Sequence, residues 1–219
     1  MAQIQLVCFD FDGTLVDTAP DLVRATNRYL EAKGFAPLPE ALIRSEIGMG
    51  LRRMILDLYP NGPHSEEFRL QVEKEFTEAY EQEYLKASEL FEGAREFLHE
   101  WEGQIAIVSN KRARFIHPIL KKLQVDHLSW AQIVGGDTYP TMKPHPEPFL
   151  GAIQAAGVTP EETLIVGDGI PDVQGALNIG SRCVAVAFGY HPVGELMDLG
   201  ATHRIESFYE LLPLIRTLT

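Results

Sequence analysis

The chain has 219 residues, of which 45% are hydrophobic and 23% are charged, and its 19 basic and 31 acidic side chains give a formal net charge of −12. These values are ordinary for a soluble globular protein, and the negative balance argues against nucleic acid or an anionic membrane as a partner, because like charges repel. No apolar run approaches the roughly 20 residues that a membrane-spanning helix needs.

Five short apolar runs, each followed by small or polar residues, are predicted as β-strands. They cover residues 4–9, 105–108, 132–134, 163–166 and 183–187. Near-continuous apolar runs are typical of strands that are buried on both faces. Amphipathic segments predicted as helices lie between the later strands, at residues 113–123, 146–156 and 171–179. Because strands and helices alternate, the sequence predicts an α/β fold with a Rossmann-like parallel sheet.

The interval between the first two predicted strands holds roughly 90 residues, although a crossover between parallel strands needs only about a dozen. Apolar residues recur at helical spacing in this interval, first over residues 22–30 and again over residues 68–84, and no convincing strand interrupts them. We therefore predict an inserted all-α domain at residues 17–83 and a core domain formed by residues 1–16 and 84–219.

Polar residues that could carry chemistry stand where the predicted strands end. The candidates are Asp10, Asp12, Ser109, Asn110, Lys143, Asp168 and Asp172. Ligands bind beyond the carboxyl ends of the strands in an open α/β sheet, so these side chains are expected to share one crevice. Clustered carboxylates with few histidines or cysteines nearby suit a hard cation that prefers oxygen ligands, and Mg²⁺ is the expected ion.

Four segments of the chain resemble, in order, the four motifs of the haloacid dehalogenase superfamily. Asp10-Phe11-Asp12-Gly13-Thr14 resembles the first motif, and residues 107–111 resemble the second, in which Ser or Thr ends a strand. Residues 143–146 and 167–172 resemble the third and the fourth. Gly169 departs from the Ser or Thr that is usual in the fourth motif, which removes a hydroxyl group near the expected metal site.

This resemblance implies a Mg²⁺-dependent phosphatase that forms an aspartyl-phosphate intermediate. Asp10 would be the nucleophile and Asp12 the general acid and base, and Asp12 suits an oxygen ester, whose poor leaving group needs a proton. The implied substrate-binding residues of these motifs are Ser109, Asn110 and Lys143. The implied metal site consists of Asp10, the backbone carbonyl of Asp12, Asp168 and Asp172.

The helical insert lies at the position of a C1 cap, which closes over small substrates and excludes water. Residues 135–138 and 188–190 resemble the phosphoglycolate phosphatase group of the superfamily, so 2-phosphoglycolate is the favoured substrate. A sugar phosphate such as N-acetylmuramate 6-phosphate, or a reaction like that of β-phosphoglucomutase, stays open as an alternative.

A loop of the insert, residues 48–53, is predicted to set substrate specificity. Arg52 or Arg53 could form a bidentate pair with a substrate carboxylate. A turn between two helices, followed by arginines on the surface, explains these residues equally well. Alanine at both positions is expected to weaken action on phosphoglycolate far more than action on an aryl phosphate.

Two further functional classes stay open, a phospho-accepting signalling domain and a catalytically silent binding module. Receiver domains of signalling proteins also combine clustered Asp, Ser or Thr, Lys and Mg²⁺, but they are usually shorter and accept the phosphate after a later strand.

The first residues lack the basic and apolar regions of a signal peptide, and Cys8 and Cys183 lie in separate apolar runs without a C-x-x-C motif. A cytoplasmic protein with free, buried thiols is therefore expected.

Overall fold

The computed structural model describes residues 2–62 and 65–218. Its strands are β1 (Leu6–Phe9), β2 (Val16–Asp17), β3 (Glu89–Leu90), β4 (Gln104–Val108), β5 (Trp130–Val134), β6 (Thr163–Gly167), β7 (Arg182–Val186) and β8 (His203–Ile205). Six of them form one parallel sheet in the order β5-β4-β1-β6-β7-β8, while β2 and β3 form a separate antiparallel pair. The predicted α/β fold with a Rossmann-like parallel sheet is therefore confirmed.

Ten α-helices lie within the described residues. They are α1 (Ala19–Ala32), α2 (Glu40–Ser45), α3 (Leu51–Leu58), α4 (Glu66–Glu81), α5 (Ala94–Glu100), α6 (Ala113–Lys122), α7 (Pro146–Ala156), α8 (Ile170–Ile179), α9 (Val193–Leu199) and α10 (Leu211–Thr217). Gly157 ends α7 in a left-handed conformation with a φ of 69°, which glycine adopts without strain. Within residues 2–62 and 65–218, no helix has the length and apolar character that crossing a membrane requires.

Alternate residues of β1 face opposite sides of the sheet, and both sides are buried. Val7 and Phe9 belong to an apolar core with residues of α5, α6 and α10, whereas Leu6 and Cys8 belong to a core with residues of α7, α8 and α9. All four side chains are fully buried. This two-sided burial is the reason that the strands appear as near-continuous apolar runs in the sequence.

Helices α1 to α4 form a third apolar core of their own. Leu30, Ile55 and Phe76 are fully buried in it, and Phe115 of α6 joins it from the sheet domain. This separate core supports the predicted helical insert at residues 17–83, whose boundaries stay a prediction. The antiparallel pair of β2 and β3 flanks the insert and was not predicted. The predicted ranges also include residues 1, 63, 64 and 219, which lie outside the described residues.

The two cysteines are free and buried, as expected from their apolar surroundings in the sequence. Cys8 lies in β1 and Cys183 lies in β7. Burial raises the pKa of Cys8 to about 12, so this thiol stays protonated and unreactive near neutral pH.

Candidate active site

Asp10 stands at the carboxyl end of β1, where the chain leaves the middle of the sheet. Its backbone N–H donates to the carbonyl of Val166 in β6 at 2.9 Å, which extends the strand ladder by one residue. Gly13 then turns the loop with a φ of 83°, and a Cβ atom at this position would lie 2.2 Å from Oδ2 of Asp168. Glycine therefore lets the loop after β1 pass directly against Asp168.

Three buried carboxylates and one buried ammonium group form the centre of the site. Oxygens of Asp10, Asp168 and Asp172 lie within 4.8 Å of one another. Lys143 Nζ lies 2.8 Å from Oδ1 of Asp10 and 2.7 Å from Oδ1 of Asp172, so it bridges two of the three carboxylates. Three negative charges against one positive charge leave an excess of two, and this oxygen-rich set of ligands fits a hard divalent cation such as Mg²⁺.

The crowding of these charges changes how readily each group holds a proton. Burial and the negative charge of Asp10 raise the pKa of Asp168 to about 8. Burial also raises the pKa of Asp172 to about 7, although the Lys143 ammonium group opposes this rise. For Lys143, burial alone would lower the pKa, but the charges of Asp10 and Asp172 outweigh burial and raise it above the ordinary range. Without a cation, the cluster is therefore prone to take up protons near neutral pH.

Without a metal ion, the protein is expected to unfold at progressively lower temperature as the pH rises from about 4 to about 8. Asp168 and Asp172 bind protons more tightly in the folded than in the unfolded chain, because folding raises their pKa values above the ordinary 3.8. This stabilisation is complete below the ordinary pKa and is lost as the pH passes the folded-state values of about 7 and about 8. In a chain of this size, each 1 kcal/mol lost lowers Tm by about 2–4 °C.

Since Mg²⁺ would compete with these protons, the rise in Tm on adding Mg²⁺ should grow with pH. Thermal unfolding followed by circular dichroism, in EDTA and in Mg²⁺ over the same pH range, measures both effects. Asp168→Asn is the matched variant, because it removes one titrating group. In this variant, both the Tm in EDTA and the rise in Tm on adding Mg²⁺ should depend less on pH. A Tm gain from Mg²⁺ that stays constant over the pH range would contradict a cation site at these carboxylates.

Hydrogen bonds from the backbone and from a hydroxyl group hold Asp168 and Asp172 in place. Thr14 Oγ1 donates to Asp168 Oδ1 at 2.7 Å, and the backbone N–H of Tyr190 donates to Asp168 Oδ2 at 2.9 Å. The backbone N–H of Gly169 donates to Asp172 Oδ2 at 3.1 Å, and Lys143 binds the other oxygen. Asp172 is therefore oriented without the hydroxyl group that the fourth motif usually supplies at position 169.

Asp12 has a different environment from Asp10, although only one residue separates them. Lys111 Nζ donates to Asp12 Oδ1 at 2.9 Å, and the hydroxyl of Thr18, at the start of α1, donates to the same oxygen. Asp10 instead pairs with Lys143. Two carboxylates with separate cationic partners can take separate chemical roles in one site.

Ser109 and Asn110 follow β4, and the structure places them differently. Ser109 continues the ladder, with its N–H donating to the Val134 carbonyl at 2.9 Å, and its side chain lies against the same cavity as Asp10. The Asn110 amide donates to the carbonyls of Gly48 at 3.0 Å and Lys143 at 3.2 Å. Asn110 thus links a loop of the insert to the loop that carries Lys143.

Two cavities meet at Asp10. The first, termed the Asp12-side cavity, is lined among others by Asp12, Leu22, Tyr80, Ser109, Lys111 and Arg112. The second, termed the Asp168-side cavity, is lined among others by Arg44, Asp168, Asp172, Tyr190 and His191. Because Asp10 lines both cavities, a ligand bound at Asp10 would have the carboxylate cluster on one side and Asp12 on the other.

Neither Arg52 nor Arg53 lines either of these cavities, so the structure gives no support to the idea that one of them binds substrate, and that role stays a prediction. Arg52 pairs with Glu66 at 2.5 Å, and Arg53 pairs with Asp57 on α3, with 65% of its side chain exposed. The apolar face of α3, which includes Met54, is buried in the core of the insert. The positions of the two arginines on the helix therefore turn them towards solvent.

Two cations without a predicted role, Lys111 and Arg112, line the Asp12-side cavity instead. Both follow directly after Ser109 and Asn110, so their closeness to the site could have been inferred from the second motif. Arg112 also forms an ion pair with Glu73 of α4, which connects the end of β4 to the insert.

Comparisons with known proteins place the chain among hydrolases. A family model described as haloacid dehalogenase-like hydrolase matches residues 7–186. The N-acetylmuramic acid 6-phosphate phosphatase of Pseudomonas putida is 33% identical over 217 residues, which cover 97% of this chain and 96% of that protein. The phosphoglycolate phosphatase of Nitrosococcus oceani is 33% identical over 222 residues, which cover 98% of each chain. A crystal structure described as a predicted phosphoglycolate phosphatase from Haemophilus somnus matches with a TM-score of 0.87 at 28% identity, covering 98% of this chain and 99% of that one.

Proposed function

The chain belongs to the haloacid dehalogenase-like hydrolase family, and we propose that it is a Mg²⁺-dependent phosphatase acting on a small phosphomonoester. The observation that carries the proposal is the buried Lys143 bridge between Asp10 and Asp172, beside Asp168, at the carboxyl edge of the sheet. The two named relatives are also phosphatases. A buried ammonium group among carboxylates can bind an anionic phosphate group only if further positive charge is present, which supports the need for Mg²⁺.

In the proposed mechanism, Asp10 is the nucleophile. Its carboxylate oxygen attacks phosphorus, the bond from phosphorus to the leaving oxygen breaks, and Asp12 donates a proton to that oxygen. A water molecule then attacks phosphorus, the bond between phosphorus and Asp10 breaks, and Asp12 accepts the proton of the water. The separate environments of the two carboxylates support this division of roles, since Lys111 rather than Lys143 contacts Asp12.

The other polar groups of the site would bind the phosphate and the cation. Lys143 and Ser109 would contact phosphate oxygens, since both are buried beside Asp10. The carboxylates of Asp10, Asp168 and Asp172 would hold Mg²⁺. Bound Mg²⁺ supplies two positive charges that offset the carboxylates and the phosphate group.

The named substrates of the two relatives share a chemical feature, because phosphoglycolate and N-acetylmuramic acid 6-phosphate each carry a carboxylate in addition to the phosphate group. We favour 2-phosphoglycolate as the substrate. Its leaving group, glycolate, would lie on the side of Asp12, because Asp12 protonates the leaving oxygen. Arg112 lines the cavity on that side, and we favour it over Arg52 and Arg53 as the proposed partner of the substrate carboxylate.

Phosphate release from a panel of esters tests the proposed function. The panel contains 2-phosphoglycolate, N-acetylmuramic acid 6-phosphate, glucose 6-phosphate and p-nitrophenyl phosphate, each with Mg²⁺ and with EDTA. We expect release that requires Mg²⁺ and is restored when Mg²⁺ replaces EDTA, with the highest kcat/KM for 2-phosphoglycolate. Isomerised sugar phosphate without phosphate release would indicate a mutase instead, and the absence of both reactions would contradict the proposal.

Arg112→Ala is expected to raise KM for 2-phosphoglycolate by about 10- to 100-fold, which corresponds to the loss of charge-assisted hydrogen bonds to a carboxylate. KM for p-nitrophenyl phosphate, which has no carboxylate, should change by less than about threefold. Steady-state kinetics on both substrates measure this difference.

Glu73→Gln is the control for Arg112→Ala, because it breaks the same ion pair between Arg112 and α4 but keeps the arginine. It should leave the preference between the two substrates unchanged. If Glu73→Gln and Arg112→Ala give the same loss on both substrates, Arg112 acts through the ion pair and does not bind the carboxylate.

A further inference from the structure

Lys111 is a buried cation for which the mechanism above has no use. Only 6% of the residue is exposed. Its Nζ donates to Asp12 Oδ1 at 2.9 Å and to the hydroxyl oxygen of Tyr80 at 2.7 Å, and it lies 4.8 Å from the centre of the Tyr80 ring. A buried ammonium group needs such partners, since burial without them is costly. The contacts therefore fix Lys111 between one residue of the sheet domain and one of the insert.

The two partners of Lys111 belong to different parts of the molecule. Asp12 lies in the loop after β1, whereas Tyr80 lies in α4 and is fully buried in the core of the insert. Asp12, Tyr80 and Lys111 all line the Asp12-side cavity. Asp12 can therefore keep this position relative to Lys111 and Tyr80 only while α4 is packed against the end of β4.

We propose that Lys111 is a positioning residue for proton transfer, which it supports by holding Oδ1 of Asp12. Tyr80 fixes the Lys111 ammonium group in turn, so the orientation of Asp12 depends on the packing of α4. With Oδ1 held by Lys111 and Thr18, the second carboxylate oxygen is the one that exchanges a proton with the leaving oxygen. The inference rests on the proposed function, because it concerns the proton that Asp12 gives to the leaving group.

A role in proton transfer predicts that the effect of losing Lys111 depends on the leaving group. Glycolate leaves as a strongly basic alkoxide unless it is protonated, whereas p-nitrophenolate leaves readily without a proton. In Lys111→Met, the first turnover of 2-phosphoglycolate should slow by about 100-fold, the size expected for impaired general acid catalysis. The first turnover of p-nitrophenyl phosphate should slow by less than about threefold and appear as a burst, since hydrolysis of the intermediate still needs Asp12 as the base.

Rapid-quench measurement of first turnovers, with Mg²⁺ present, tests the inference on the full chain. Lys111→Met is measured alone and together with Asp12→Asn, because two residues that act through one step do not multiply their effects. We expect the first-turnover rate of the double variant to lie within about threefold of the rate of Asp12→Asn alone. Equal slowing of both substrates by Lys111→Met, or a double variant that loses the product of the two single losses, would overturn the inference.

Tyr80→Phe provides a second test in case Lys111→Met fails to fold. It removes the hydroxyl that Lys111 contacts and keeps both the ring and the pair between Lys111 and Asp12. The first turnover of 2-phosphoglycolate should again slow more than that of p-nitrophenyl phosphate, but both effects should be smaller than in Lys111→Met. Tyr84→Phe is the matched control, because its ring packs against Tyr80, and it should change neither rate.

The inference and the proposed function fail in different ways. If the unchanged protein releases phosphate from no ester, the proposed function fails and the inference falls with it. If the unchanged protein is active and the Lys111 and Tyr80 variants show no dependence on the leaving group, only the inference is overturned.

Discussion

Asp10→Asn should give a folded protein whose turnover is lower by on the order of 10⁵-fold, because it removes the proposed nucleophile while keeping the size of the side chain. An amide oxygen does not form the acyl phosphate that the first step requires. The stability of the metal-free protein should not fall, since the change removes one of three crowded negative charges and Lys143 keeps its contact with Asp172 at 2.7 Å. Phosphate release and thermal unfolding, measured on the same preparation, check both expectations.

The same variant tests the electrostatics of the site. The negative charge of Asp10 raises the pKa of Asp168, so Asp10→Asn should lower that pKa and shift the fall in Tm to lower pH. Asp57→Asn, on α3 in the insert, makes the same chemical change away from the cluster and should alter neither activity nor the pH dependence. Activity of the Asp10→Asn protein within about tenfold of the unchanged protein would contradict the role of Asp10 as nucleophile.

The convergence of the acidic residues could be predicted because it depends only on the sheet. In a parallel sheet, the carboxyl ends of neighbouring strands share one edge. β4, β1 and β6 are adjacent, so the residues that follow them, Ser109, Asp10 and Asp168, must lie close together. Apolar runs that end in polar residues were therefore enough to predict the strands that carry the site and the cluster at their ends.

The positions of Arg52 and Arg53, and the long-range partners of Lys111, could not be predicted in this way. Arg52 and Arg53 follow a glycine-rich loop, but the face of α3 that is buried is decided by packing with α4 in the core of the insert rather than by the loop. Lys111 is adjacent to Ser109 and Asn110 in sequence, yet its partners Asp12 and Tyr80 lie 99 and 31 residues away. Contacts at such separations depend on how the insert meets the sheet, and hydrophobic periodicity does not report that packing.

The last strand and the short pair beside the insert were missed for a different reason. β8 has three residues, His203–Ile205, and β2 and β3 have two each. Segments of this length carry too little periodicity to be separated from loops. β8 also lies at the edge of the sheet, where polar residues such as His203 and Arg204 are tolerated.

Lys143→Met is expected to lower turnover by at least about 10³-fold and to destabilise the metal-free protein by about 3–5 kcal/mol, because it leaves the buried Asp10 and Asp172 carboxylates without their cation. Lys143 is almost completely buried and lies within 2.8 Å of both. The loss in stability corresponds to a Tm lower by about 6–20 °C. Mg²⁺ should raise the Tm of this variant by more than that of the unchanged protein, since the cation is then the remaining positive charge of the cluster.

A second variant separates the contribution of Lys143 to stability from its contribution to catalysis. Lys143→Met combined with Asp172→Asn removes the ammonium group and one carboxylate together. The cluster then has the same excess of negative charge as in the unchanged protein, so most of the decrease in Tm should be reversed. Activity should stay low, because phosphate would still lack the ammonium group beside Asp10. Lys121→Met, on the exposed side of α6, controls for the loss of one positive charge elsewhere. Recovery of turnover together with stability in the double variant would mean that Lys143 supports the fold of the site and does not bind phosphate.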